Sequence, residues 1–312
     1  MKPRRTLLIL WSLCALPLWA AEPIPAQPWE NALKDNPRAD EKPAEKPEEK
    51  KRRAEVMQDN SFLVEEAYNQ EPGVVQHSFL FSYAVNKLRG PDDRSFNATF
   101  TQEWPVVSQR HQLSYSLPYN SVSTGGPHDD GVGDVFLNYR YQLLFESDTQ
   151  PAFAPRISVI LPTGDKKKGF GNETVGYQIN LPVSKVLSDR WTVHFNAGAT
   201  VLPRINAAMD AGGFSKKRTL TGYNIGASAI FAVTEHFNLM CEFIGNSNEQ
   251  FNGSGRITRS FAPILSPGMR YGIDLPKTRD AQLVFGVGAP IGLNHTAPDY
   301  GVLGYISFEH KF

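Results

Sequence analysis

The sequence predicts an all-β fold, a closed antiparallel transmembrane β-barrel of about twelve strands with both termini periplasmic. Three observations carry that expectation. From Gly73 onward, short segments alternate apolar and polar residues between turn residues. Short connections alternate with long ones along the chain. The last residue of the final segment is aromatic, Phe312.

The alternation is clearest around residue 140. Val135, Leu137, Tyr139, Tyr141, Leu143 and Phe145 share one face of a strand, and Asp134, Phe136, Asn138, Arg140 and Gln142 share the other. Only a period of two separates those sets, and an Arg on the buried face of a soluble sandwich is costly. The same alternation recurs at Phe79, Phe81 and Tyr83, at Tyr177, Ile179 and Leu181, and at Trp191, Val193 and Phe195. Strands are expected at 74–86, 94–104, 110–119, 132–145, 153–162, 175–185, 190–202, 220–233, 236–245, 261–273, 281–291 and 300–312.

Short connections fall near Val107, Ser147, Ser188, Thr234 and Pro276. Longer, Gly-rich ones are expected at 86–93, 120–131, 163–174, 203–219, 246–260 and 292–299. Short periplasmic turns and long outer loops produce this order in an even-stranded barrel. Pro118, Pro155, Pro162, Pro182, Pro263, Pro267 and Pro290 lie inside the drawn strands. Most are expected near strand ends, and Pro267 predicts a bulge or a strand start close to Ser266.

Before the barrel, Lys2, Arg4 and Arg5 precede an apolar run from Leu7 to Leu18 and then Ala20-Ala21. That run is too short to span a bilayer and reads as a signal peptide over 1–20. Leu13 is too large to precede a lipidated cysteine at Cys14. Residues 21–56, rich in Pro, Glu, Lys and Arg, read as a disordered charged periplasmic leader. Residues 57–72 carry Phe62, Leu63, Val64 and Tyr68 and read as a candidate plug at the periplasmic mouth, with the barrel over 73–312.

Composition excludes several classes. With the signal peptide removed only Cys241 remains, so no intramolecular disulfide and no structural Cys zinc site is expected. Net charge is zero, with no basic block of nucleic-acid type outside the leader, so nucleic acid is not a partner. The seven histidines lack metal-ligand spacing, and no nucleophile elbow appears. No cofactor, metal or catalytic residue is therefore assigned, and the chain is not read as an enzyme. His194 with Thr192 or Ser184 is the Ser–His-type pair that a lipid hydrolase would need.

The inward faces carry residues of both signs. Candidate lumen or transport residues are Glu103, Asp134, Arg140, Arg156, His194, Glu242 and Arg270. A turn near Ser147-Asp148 places Arg140 and Arg156 opposite each other. They form either an anion-attracting constriction or, the preferred reading, a salt-bridge network with Asp134 or Glu103. Gly125 to Asp134 lacks the spacing of a calcium loop and reads as structural. Lys166–Lys168 and the lysines at 216 and 217 lie on outer loops, where lipopolysaccharide phosphates are candidate partners.

Glu65–His77, Gly131-Val132-Gly133-Asp134-Val135, Leu161-Pro162-Thr163-Gly164-Asp165 and Leu265-Ser266-Pro267-Gly268 together carry a resemblance. They resemble a transporter-like family of outer-membrane barrels, the putative MetA-pathway of phenol degradation group, from about Phe62 to Phe312. An aromatic Phe312 likewise resembles the signal read by the barrel-insertion machinery, although His310 departs from the usual apolar residue there. The resemblance implies passive or gated transport of small, hydrophobic or aromatic solutes across the cell outer membrane, in contact with its lipids. A structural or surface-interaction barrel with a closed lumen is the alternative, and an outer-membrane lipid hydrolase the third reading.

Overall fold

The structure is a computed structural model that describes residues 53–57, 61–87, 93–124, 128–206, 217–252 and 256–312. The expected signal peptide and nearly all of the expected leader lie outside those residues. The described piece of the leader is a short helix, α1 (Arg53–Val56).

Twelve strands follow, four of them in two segments. They are β1 (Val74–Asn86), β2 (Asp93–Val106), β3 (Ser108–Thr124), β4 (His128–Val132 and Val135–Tyr141), β5 (Ala152–Phe153 and Arg156–Leu161) and β6 (Gly176–Asn180 and Val183–Val186). Then come β7 (Trp191–Asn206), β8 (Lys217–Ala232), β9 (Phe237–Phe251), β10 (Ile257–Leu275), β11 (Ala281–Gly288 and Ile291–Gly292) and β12 (Tyr300–Lys311). Each pairs antiparallel with the next, and β12 pairs with β1 from Val74↔Lys311 to Val85↔Tyr300. That pair closes the barrel; where hairpins extend past its rim, as at His128–Val132, a strand pairs on one side only.

Parity decides what faces outward. Phe79, Leu137, Tyr177, Phe195, Ile225, Met269 and Phe285 are 41–55% exposed, while Gln76, Gln112, Asn138, Gln142 and Asn180 are buried. A soluble sheet has the reverse arrangement. An apolar belt around a closed barrel with a polar interior is an outer-membrane β-barrel, and its belt meets lipid.

The expected strand number and spans agree with this architecture; three details do not. Of residues 120–131, expected as a long loop, 120–123 and 128–131 extend the β3–β4 hairpin from Tyr119↔Val132 to Ser123↔His128. Strands β7 to β10 run further than drawn and take in 203–206, 217–219, 246–251 and 257–260. Those stretches project beyond the apolar belt, so both faces are polar and the period of two loses its contrast.

The prolines are the third difference. Pro267 lies within β10 without a bulge, in an unbroken register with β9 from Phe237↔Tyr271 to Phe251↔Ile257. Its carbonyl accepts from Ala289 N (2.9 Å), where β11 is interrupted. Pro118 O accepts from Gly133 N (2.8 Å) and Pro182 O from Ala154 N (3.3 Å), again at interruptions in β4 and β5. A proline accepts but cannot donate. Pro155, Pro182 and Pro290 fall in the interruptions of their own strands, whereas Pro118 and Pro267 lie in continuous strands and face interruptions in their neighbours.

Candidate functional site

Inside the barrel, at the end that carries Val74 and Lys311, the chain from Ser61 to Gln70 runs along the wall without regular secondary structure. A buried irregular backbone must find partners for its N–H and C=O groups. The inward side chains supply them. Glu242 Oε1 accepts from Leu63 N (2.8 Å) and Val64 N (3.0 Å). Asn196 accepts from Glu65 N (2.7 Å) and donates to Glu65 O (2.7 Å). Ser184 Oγ accepts from Ala67 N (2.7 Å), and Gln112 Oε1 from Gln70 N (2.7 Å). Gln142 accepts from Asn69 N (2.9 Å) and donates to Ala67 O (2.7 Å). Four strands, with Gln142 just past the end of β4, thus hold one segment. On the other side Phe62 and Met57 pack with Met240, Val284, Leu303 and Tyr305.

Arg140 and Arg156 are cross-strand neighbours, as expected. The acid between them is Glu65, which belongs to the segment rather than the wall. Its carboxylate meets Arg140 Nη1 at 3.3 Å and Arg156 Nε at 2.9 Å, and Glu103 lies 3.7 Å from Arg140 Nη2. Arg140 also donates to Asn69 Oδ1 (2.8 Å), Glu66 O (3.1 Å) and Tyr68 O (2.7 Å). Burial opposes ionisation of Glu65, yet the guanidiniums of Arg156 and Arg140 hold its carboxyl below the usual glutamate range.

Of the two acids expected to pair these arginines, Glu103 does and Asp134 does not. Asp134 lies at the opposite end, where it accepts from Gly164 N (2.9 Å), Asn172 N (2.9 Å) and Asn172 Nδ2 (2.7 Å) and pins the loop over 162–175. Arg270 is buried and donates to Met57 O (3.0 Å). His194 Nδ1 and Ser184 Oγ are 2.7 Å apart, but both are fully buried beneath Tyr68 and Ala67, and Ser184 already binds Ala67 N. That pair has no access for a lipid ester. Six of the seven candidates therefore gather around the inner segment, and Asp134 stands apart.

Beyond the segment the lumen opens into a cavity of about 830 Å³. Leu63, Val64 and Glu65 form part of its floor, and Phe170, Asn172, Asn248 and Glu249 stand toward the loop end. Its lining mixes amides and hydroxyls with Leu80, Phe136, Ile160 and Tyr305. Among the described residues no group of three His, Cys, Asp or Glu is placed to hold a metal.

The barrel fold has a solved counterpart. A crystal structure of an outer membrane channel from Pseudomonas putida F1 superposes with TM-score 0.57 at 14% identity, covering 79% of this chain and 98% of that one. The NanC porin gives 0.42 at 9% identity, over 76% and 100% of the two chains. The translocator domain of the autotransporter NalP from Neisseria meningitidis gives 0.46 at 12%, over 78% and 90%. No curated protein matches the chain. The family described as Putative MetA-pathway of phenol degradation matches residues 74–308, β1 to most of β12, and the chain belongs to that family.

Proposed function

We propose that this barrel is a conduit for small solutes, passive or gated, with the segment over 57–72 as the gate. The observation that carries the reading is a cavity of about 830 Å³ that ends on an irregular segment held mainly by side-chain hydrogen bonds. Side-chain hydrogen bonds in a wet lumen exchange with water at a net cost of about 1 kcal/mol each, so such a segment can be displaced without unfolding the barrel. Short turns share an end with both described chain ends, which supports a periplasmic placement of that end. Leu80, Phe136, Ile160 and Tyr305 in the cavity support passage of hydrophobic or aromatic solutes. The apolar belt is the surface offered to lipid, Lys166–Lys168 the candidate contact for lipopolysaccharide phosphate, and Phe312 that for the insertion machinery.

A second reading, a barrel whose lumen stays closed, is favoured by one observation: Arg140 alone makes four hydrogen bonds to the segment. Conductance in planar bilayers with and without residues 22–72 separates the two. A conduit conducts in both forms, more when the segment is removed. No current from either form would sink the proposal.

A further inference from the structure

We infer that the loop-side cavity binds an uncharged ring solute carrying several hydroxyl groups on its rim. This rests on reading the cavity as part of a solute path, and it replaces the hydrophobic or aromatic class, which suits the apolar residues alone, with a hydroxylated one. The cavity has two unlike walls. Across β6 to β9 the register sets Asn180, Gly198, Asn224 and Asn246 in one cross-strand row, and Gln178, Thr200, Gly222 and Asn248 in the next. Gly198 is needed there, because a methyl group on it would strike the Ile179 carbonyl as well as the Asn224 and Asn180 amides; one on Gly222 would strike only the Asn248 amide. Across from these rows Leu80, Phe62 and Tyr305 form an apolar, partly aromatic patch beside the hydroxyls of Ser78, Thr99 and Thr101.

Asn224 Nδ2 donates to Asn180 Oδ1 (3.3 Å) and Gln178 Nε2 to Thr200 Oγ1 (3.0 Å) within these rows. The remaining amide and hydroxyl groups, about 5 Å apart between strands and about 7 Å apart along them, offer donors and acceptors over the span of a hydroxylated six-membered ring. The apolar patch suits such a ring's C–H face. A single-hydroxyl solute would displace water from most of these amides and replace few of its hydrogen bonds. Among the described residues an ionic solute finds no free counter-charge, because the charged groups facing the cavity are already engaged. Glu103 and Arg156 belong to the network around Glu65, Asp134 caps the loop at Gly164 and Asn172, and Glu249 pairs with Arg259 at 3.0 Å.

The test is equilibrium binding by titration calorimetry on the full chain in detergent, with methyl glucoside, glucuronate and cyclohexanol as probes. Methyl glucoside is expected to bind about tenfold more tightly than either of the others. Asn224→Leu and Asn248→Leu are each expected to weaken it about fivefold. Comparable affinity for all three probes, or no loss in either variant, would overturn the assignment. If a leucine variant loses its folded, heat-modifiable band on gels, Asn224→Ser carries the test instead, with a smaller loss in the same direction. Liposome swelling separates the two claims. Preferential binding without methyl glucoside flux refutes the conduit and leaves this site standing, whereas flux without preferential binding refutes this site alone.

Discussion

The two halves of the lumen obey the same parity rule and differ in everything else. At the end with the chain termini, inward residues are charged or amide-bearing, buried and bonded to an irregular segment of the same chain. Toward the loops, apart from Asp134 and Glu249, the inward residues are mainly amides, hydroxyls and glycines around open space. Alternation therefore reveals which residues point inward but not whether they meet protein or solvent. Charge is the better guide. A guanidinium or carboxylate left alone in a narrow barrel is expensive, so the charged inward positions mark where another part of the chain lies.

The largest expected effect breaks the filled half. Arg140→Leu removes four hydrogen bonds to the segment and leaves Glu65 with Arg156 and the Asn180 amide. Loss of one member of such a buried network costs about 3–5 kcal/mol. The thermal midpoint of the folded band in detergent is expected to fall, and bilayer current to rise. An unchanged midpoint would mean that the segment is held elsewhere.

Next comes Glu242→Leu, which orphans the N–H groups of Leu63 and Val64 at about 1–3 kcal/mol each. Glu242→Gln keeps an acceptor and is expected to be several-fold milder in urea unfolding. Equal losses in the two variants would assign the effect to side-chain packing instead.

Acid is the third lever. Because the arginines depress the Glu65 pKa, its stabilising contribution is fully present above the usual glutamate range and is lost as pH falls through its lowered folded value. Bilayer current is expected to rise in that acid window. Glu65→Gln is expected to raise current at neutral pH and to flatten the acid response. A variant that retains the full response would place the titrating group elsewhere.

The smallest effect belongs to the open half. Asn224→Ala, which faces the cavity, is expected to change stability by less than about 0.5 kcal/mol in the same urea assay. A loss as large as that of Arg140→Leu would erase the contrast between the two halves.

Strand number, closure and inward faces were legible because a lipid-facing strand must alternate. The ends of β7 to β10 were not, since stretches such as Asn246–Phe251 leave the belt and nothing there contrasts the two faces. Pro267 was misread because its lost bond appears in the neighbouring strand, and a single strand's sequence does not show its neighbour. Arg140, Arg156 and Glu103 were legible as a network from their parity. Glu65 was not, because it sits in a segment without period and meets arginines 75 and 91 residues away. The apolar residues of 57–72 pointed to a segment at the mouth, while the acid pair Glu65-Glu66 was the unused clue that it reaches the charged lumen.

Tethering the segment tests the central claim most directly. Ser61 Oγ and Ser228 Oγ lie 2.7 Å apart, one on the segment and one on β8. In a Cys241→Ser background, Ser61→Cys with Ser228→Cys places two thiols where a disulfide can fix the segment to the wall. The account predicts low current through the oxidised double variant and recovery on reduction. Identical current before and after reduction, with the disulfide confirmed by mass, would contradict it.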